Sequence, residues 1–453
     1  MKNDKSGFWK AICADPDDDV PRLVFADYLD EQGHPERAEL IRAQCDLEAL
    51  PISDPRRIDL EMTSRWLLQE YQHQWNEELP QWIDRDTVRF RRGFPYRIET
   101  TPSQLDKNRS ALAKSTVIQQ IDMAATMESI IQFRLRSLGL GTKIRSAGKQ
   151  SGLLPRLRGY HIHQGTFSEI VGMMDRLVGL RELSLGSPFR GTQNRNSQVE
   201  KLFQHRVIRQ VTRLRIELHS PVEGLEDTPL ALSIANTQAP ALKHLTLSTS
   251  RISTEAGFAL MTSPMMKSVE CLDTDDLFDP TMPEGVRALT HLKALKISFL
   301  HPESPRMVID HLSACKDLRK LSLLCLFDDD FRHLTESRAL EQLIDLHLNP
   351  DVGWLSKKLL EGFLNSGRLS NLVRLTLRAS EPTQIFDIIA QSKQLPRLRH
   401  LILPDLIPNK NDLRKLAKTN LKSLSVDAHR VPDFDELKEY CRSWLRLMIH
   451  VRS

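Results

Sequence analysis

The chain has 453 residues, of which 27% are charged and 40% apolar, and carries a net charge of +4. That length is more than a single hydrophobic core serves well, and the composition is ordinary for a soluble protein, so a stacked array or several domains is expected. No stretch approaches the roughly 18 consecutive apolar residues of a membrane helix, and no apolar run follows the charged N-terminus, so a cytoplasmic location and no membrane partner are expected.

The first fifty residues form a separate module by charge. They hold twelve Asp and Glu against six Lys and Arg, a net of −6, which leaves +10 for the remainder. Phe8, Trp9 and Ile12, then Leu23, Val24, Ala26, Tyr28 and Leu29, then Ala38, Leu40, Ile41 and Leu47 recur at helical spacing and predict three short helices. Asp15-Pro16 and Gly33-His34-Pro35 supply the breaks between them. The acids Asp15, Asp17, Asp18 and Asp19 lack the Gly and Glu positions of a calcium loop, so they read as solvated charges at a helix start. Asp27, Asp30 and His34 are the candidates for acid and base chemistry. No nucleophile or glycine-rich loop accompanies them, and ion pairs with Arg22, Arg37 and Arg42 are the plainer expectation.

The stretch FWKAICADPDDDVPRLVFADYLDEQGHPERAELIRAQ, from Phe8 to Gln44, resembles the bacterial repeat-companion domain found ahead of repeat arrays and most familiar from planctomycetes. The resemblance extends to the helix ending near Trp75 and to Arg91-Arg92-Gly93-Phe94-Pro95. It implies architecture only and brings no catalytic residues.

Residues 51–97 read as a capping helix and the start of an array. Ile58, Met62, Trp66, Leu68, Tyr71 and Trp75 are spaced mostly three or four apart, an apolar stripe expected to cover the array's exposed first strand. From Ser129 to Ser168 there is no Asp or Glu, while Arg134, Arg136, Lys143, Arg145, Lys149, Arg156 and Arg158 give seven positive charges. That segment could hold a nucleic acid or another polyanion. Gly139 to Lys143 lacks the spacing of a phosphate loop, and His161 and His163 have no further ligands at metal spacing. The six cysteines, Cys13, Cys45, Cys271, Cys315, Cys325 and Cys441, include no CxxC pair and read as reduced thiols. No cofactor or metal is implied.

Residues 98–430 carry the repeat. Ten variants of leucine, two residues, leucine, one residue, leucine lie between Leu180 and Val426. Clear copies are Leu180-Leu183-Leu185, Leu242-Leu245-Leu247, Leu292-Leu295-Ile297, Leu318-Leu321-Leu323, Leu343-Leu346-Leu348, Leu372-Leu375-Leu377 and Leu398-Leu401-Leu403. Val211-Leu214-Ile216, Val269-Leu272 and Leu421-Leu424-Val426 are looser. Each copy predicts a short strand with one buried face, followed by a helix, and no unit can bury its face alone. The chain thus resembles the leucine-rich-repeat family over roughly its C-terminal two thirds. That implies an α/β solenoid with a parallel sheet on the concave face and helices on the convex face. The family's usual Asn or Cys after the strand is mostly absent, so these turns need other hydrogen-bond partners.

If the leucines point inward, the residues between them form the opposite strand face. His244, Thr246, Lys296, Lys320, Ser322, Asp345, His347, Arg374, Thr376, Arg378 and His400 are the candidate partner-binding residues, with Arg374 and Arg378 as anchors for acidic groups. The strip is polar and broad, unlike the apolar cleft of a small-molecule enzyme. Residues 431–453 read as a C-terminal capping helix, with Asp433 as its N-cap and Phe434, Leu437, Tyr440, Trp444 and Met448 on its apolar side. The expectation is a non-enzymatic interaction or scaffold protein whose partner, of unknown identity, is a protein, with polyanion binding as the alternative.

Overall fold

The structure is a computed structural model that describes residues 2–101, 104, 107–108, 118–123, 159–162, 179–185, 200–218, 228–249, 253–275, 288–299, 304–350, 357–378, 382–427, 431 and 433–449. It divides into two units, one of Met1–Leu50 with Glu70–Arg251 and the other of Pro51–Gln69 with Ile252–Ser453.

In the first unit, helices α1 (Lys2–Ala14), α2 (Val20–Glu31) and α3 (Pro35–Ala49) appear where apolar spacing places them. Ile12, Cys13, Phe25, Ala26, Leu29, Ala38, Ile41 and Cys45 make their core, closed by Phe94. Phe94 stands at the start of a sheet. Strand β1 (Arg89–Arg91) pairs antiparallel with β2 (Phe94–Thr100), and the hairpin between them is Arg92-Gly93, both at positive φ. Two left-handed residues in a row are what a two-residue hairpin loop requires. The same turn is pressed onto α3, where the Gly93 N–H donates to Gln44 Oε1 at 2.7 Å. A Cβ on Gly93 would stand 2.2 Å from Ile41 Cγ1, so only glycine fits this contact.

From β2 the strands run parallel, each beside the next: β3 (Gln120–Met123), β4 (Gly159–Ile162), β5 (Glu182–Leu185), β6 (Arg213–Leu218) and β7 (His244–Thr249). Leu183, Leu214 and Leu245 occupy matched positions, which stacks the repeat leucines into a ladder.

The second unit continues the pattern with β8 (Cys271–Asp275), β9 (Ala294–Ser298), β10 (Lys320–Leu326), β11 (Asp345–Pro350), β12 (Arg374–Leu377), β13 (His400–Ile402), β14 (Ser423–Val426) and β15 (Arg446–Ile449). All are parallel to their neighbours, with Leu272, Leu295, Leu321, Leu346, Leu375, Leu401, Leu424 and Leu447 in one register. From β9 onward a short helix separates successive strands, for example Asp328–Glu336 and Pro382–Gln391, and Thr254–Met261 precedes β8. Every repeat leucine named from the sequence is buried. The fold is therefore a leucine-rich-repeat-like solenoid, α and β alternating, with an all-helical N-terminal region.

Backbone groups at the strand starts find one another. The Ile344 and Asp345 N–H groups both donate to Arg319 O, Val373 and Arg374 both to Ile344 O, and Arg399 and His400 both to Val373 O. One carbonyl per repeat thus serves two donors of the next.

The end of the chain differs from expectation. The helix expected over residues 431–448 is shorter, Phe434–Cys441, and Arg446–Ile449 forms β15 on β14. Trp444 and Met448 fit a helical period, but Leu447 and Ile449 fit a strand equally well, and the open edge of β14 decides the contest. Asp433 is left-handed and makes no capping bond with its side chain, unlike the expected N-cap.

Candidate functional site

Helix α4 (Arg56–Asn76) determines which strand residues are available. Its last turns belong to the first unit, where Trp75 lies 6.2 Å from Phe90 of β1 and Gln72 Nε2 donates to Val88 O. Only that end covers the first strand as expected. Its residues up to Gln69 pack instead in the second unit. Ile58 and Met62 share a buried cluster with Ile344, Val373 and Met448, flanked by Trp66. An apolar stripe shows that a helix must be covered, but not by what, so this placement could not be read from spacing.

The polar side of the same segment meets the first residue of one strand after another. Lys320 Nζ of β10 donates to Glu61 Oε1 at 3.0 Å. Arg374 of β12 reaches Glu61 Oε2 at 3.0 Å and donates through Nε to Asp345 Oδ1 at 2.8 Å. His400 Nε2 of β13 is 2.9 Å from Asp59 Oδ1, and Arg399 Nη1 donates to Asp59 Oδ2 at 2.6 Å. Lys422 Nζ approaches Asp59 at 3.4 Å, and Arg446 of β15 donates to Thr63 Oγ1 with its guanidinium 4.6 Å from the Trp66 ring.

The electrostatics follow from these partners. The hydrogen bond from His400 holds Asp59 well below the ordinary carboxylate range, aided by Lys422 and Arg399 against burial. Burial opposes ionisation of Glu61 and Asp345, but Arg374 and Lys320 outweigh it and both stay low. Arg374 is held above its ordinary value because Asp345 and Glu61 exceed the cost of desolvation. Removing one member of such a buried cluster costs about 3–5 kcal/mol, and displacing the segment would also expose Ile58 and Met62 at about 1.5–3 kcal/mol each. The segment is therefore a fixed part of the second unit.

His400 also bonds Ser423, its Nδ1 lying 2.8 Å from Oγ. Burial lowers the imidazole pKa, so the neutral ring accepts from the Ser423 hydroxyl and donates to Asp59. Serine, histidine and aspartate in series are the parts of a hydrolase triad. Here Ser423 and His400 are only 1% and 3% exposed, so no substrate carbonyl can approach the hydroxyl. The relay serves to position α4.

Among the eleven candidate residues, Lys320, Asp345, Arg374 and His400 are thus committed to α4 or to its partners, and Thr376 is buried. The expectation that Arg374 is an available anchor for a partner does not fit this geometry. Arg378 lies 3.8 Å from Asp405 and remains one-third exposed. Lys296 stays exposed and pairs with Asp273 at 3.2 Å, and Ser322 Oγ meets His347 Nδ1 at 3.2 Å, both half-buried. In the first unit His244 and Thr246 are half-buried on β7, with Arg213 and Arg215 exposed on the neighbouring β6. Sequence reasoning missed Asp59, Glu61, Arg399, Lys422 and Arg446. The one available signal was the alternation of Ile58, Asp59, Glu61 and Met62 on a helix, which marks a stripe of mixed character without naming its acceptor.

The other candidates are quickly placed. Asp27 and Asp30 both accept from Arg42, at 2.7 and 2.6 Å. Asp15 and Asp18 accept backbone N–H groups of Asp17 and Val20 at the start of α2. All six cysteines are free, four of them buried, and no group of three metal-ligating side chains occurs among the described residues. Arg134, Arg136, Lys143, Arg145, Lys149, Arg156 and Arg158 lie outside the described residues, as do His163 and the His161 side chain. No described helix is long and apolar enough to cross a membrane.

No family model and no curated protein matches the chain. Among solved structures it is similar to a chain of the yeast Rad7 and Elc1 complex, with 17% identity, a TM-score of 0.43, and coverage of 76% of this chain and 85% of that one. It is also similar to a protein from Bacteroides fragilis, with 14% identity, a TM-score of 0.27, and coverage of 75% and 76%. Neither likeness bears on function.

Proposed function

We propose that the chain is a non-enzymatic interaction protein that recognises a protein partner with the strand face of its leucine-rich-repeat-like stack. The observation that carries this reading is the docking of α4. Charged strand-start residues read Asp59 and Glu61 while Ile344, Val373 and Met448 take Ile58 and Met62, which is helix-on-sheet recognition by matched charge and apolar contact. Because α4 holds that row, the partner contacts are assigned to residues it leaves accessible. In the second unit these are Lys296, Ser322, His347 and Arg378.

The region from Phe8 to Gln44 is assigned as a repeat-companion-type module of bacterial kind, and the setting as the cytoplasm. Asp27 and Asp30 are tied to Arg42, which favours a structural role for them over acid and base chemistry.

The test is affinity capture of the tagged full chain from its native cytoplasm, in nuclease-treated and untreated halves. A discrete protein partner that survives nuclease and is lost from a Lys296→Glu/His347→Glu variant is the expected result. Unchanged capture by that variant, folded as the parent, would overturn the strand-face assignment. Recovery of nucleic acid, with co-eluting proteins lost after nuclease, would transfer the function to the basic segment 134–158.

A further inference from the structure

On the outward side of α2, Val20, Leu23 and Val24 are 64%, 37% and 48% exposed. They stand at i, i+3 and i+4, one stripe of the helix, while Phe25, Ala26 and Leu29 take the opposite side into the core of the helical region. An N-terminal helix start explains an exposed Val20, but not three adjacent apolar side chains left in water.

Acids bound the stripe. Asp17 and Asp18 precede it, and Asp27, whose side chain is 70% exposed, and Glu31 continue the same face one and two turns on. Three arginines of the region are already engaged. Arg22 is buried and donates to Asp18 O, Arg92 donates to the Pro16 and Asp17 carbonyls, and Arg42 bridges Asp27 and Asp30. Across the first fifty residues the charge is −6. An acidic rim repels phosphate backbones and anionic lipid headgroups alike, so a nucleic acid or a membrane surface is disfavoured by sign.

We propose that this face of α2 docks a basic amphipathic helix of a protein partner, one whose apolar residues cover Val20, Leu23 and Val24 while flanking Lys or Arg meet Asp17, Asp18, Asp27 and Glu31. The inference rests on the reading of the chain as an interaction protein, but on a surface separate from the strand face.

The probe is a helical peptide of Leu and Lys, compared with a Ser and Lys peptide of equal charge and a Leu and Glu peptide, each titrated against the full chain by fluorescence anisotropy. The Leu and Lys peptide should bind tightest, and a Leu23→Ser/Val24→Ser variant should weaken it at least about tenfold. An Asp17→Asn/Glu31→Gln variant, which leaves the apolar stripe intact, should weaken it less and flatten its salt dependence. Equal binding of the Ser and Lys peptide, equal binding of the Leu and Glu peptide, or an unchanged Leu23→Ser/Val24→Ser variant would each overturn the proposal. The Lys296→Glu/His347→Glu variant should bind the peptide as the parent does. Loss of binding there as well would move the peptide to the strand face, sinking this inference while leaving the other reading intact.

Discussion

Arg374 and Arg37 each fix part of α4, by opposite chemistry. In the second unit Arg374 sits between two carboxylates, Asp345 and Glu61, each of which has a defined place on its own element. In the first unit Arg37 lies 4.6 Å from the Trp75 ring, 5.0 Å from Phe90 and 5.6 Å from Phe94. Its Nη1 is buried without a hydrogen-bond partner, and burial pushes its pKa down to about 10 against a weak opposing effect of Glu78. Paired charges have one right partner each and so set the register of the helix against the strands. A cation over aromatic faces gains from packing area and tolerates small shifts, so it holds without specifying.

Breaking the paired end should cost most. Arg374→Ala leaves Glu61 and Asp345 facing each other without their shared cation, and about 3–5 kcal/mol of stability should be lost in denaturant unfolding of the full chain. If the loss is under about 1 kcal/mol, the pairs are not what holds α4 in the second unit.

Next is the turn under Phe94. Gly93→Ala puts a methyl against Ile41 and forces alanine to φ 78, so about 2–4 kcal/mol should be lost, from overpacking and the left-handed penalty together. Ile41→Ala in the same background should not rescue it, because the Ile41 Cα and Cβ would still stand 2.7 and 2.9 Å from the added methyl and a buried core side chain is lost as well.

Acid sharpens the contrast further. Asp59 is depressed in the folded state, as are Glu61 and Asp345, so their contribution is present above the unfolded carboxylate values and is lost as pH falls below them. His400 is lowered by burial, so the unfolded state takes up its proton first and stability also falls as pH drops through 6.5. Every sign agrees. Stability should decline gently from about pH 7 as His400 is reached and more steeply below about pH 4, and Asp59→Asn, weaker by about 1.5–3 kcal/mol at the higher pH, should decline less below about pH 4. A parallel decline in both proteins would remove Asp59 from the account.

Arg37→Met tests the tolerant end. Methionine keeps most of the apolar stem and loses only the cation over the rings, so a cost of about 1 kcal/mol is expected in the same measurement. A loss as large as that of Arg374→Ala would show that Arg37, too, is a specific partner.

The two ends also differ in how far they could be read beforehand. The strand ladder was legible because Leu183, Leu214 and Leu346 repeat a local pattern that any one unit displays. The three N-terminal helices were legible for the same reason. The contacts of Glu61 with Lys320 and of Asp59 with His400 join residues hundreds of positions apart. No local rule states which of many strand-face cations will meet a given acid, and four of the eleven residues read as a partner surface, Lys320, Asp345, Arg374 and His400, proved to be partners of the chain's own helix or of a residue that binds it. Strand β15 was lost to a subtler cause, since four residues with apolar alternation read equally well as the last turn of a helix.

The smallest effect is the most useful one. Lys296 and Asp273 form an exposed pair on β9 and β8, 48% and 38% accessible, and such pairs contribute little because water screens them and long side chains must be ordered to make them. Lys296→Ala should therefore change unfolding by no more than about 0.5 kcal/mol. Lys296→Glu, facing Asp273, should cost slightly more through like-charge repulsion across neighbouring strands. Because the Arg374 cluster is so costly to disturb, a variant there loses partner binding and folding together and cannot separate them. Lys296 lies on β9, three strands from Arg374 and in register with Thr376, with almost no stake in stability, so a loss of partner capture on changing it reports on recognition alone.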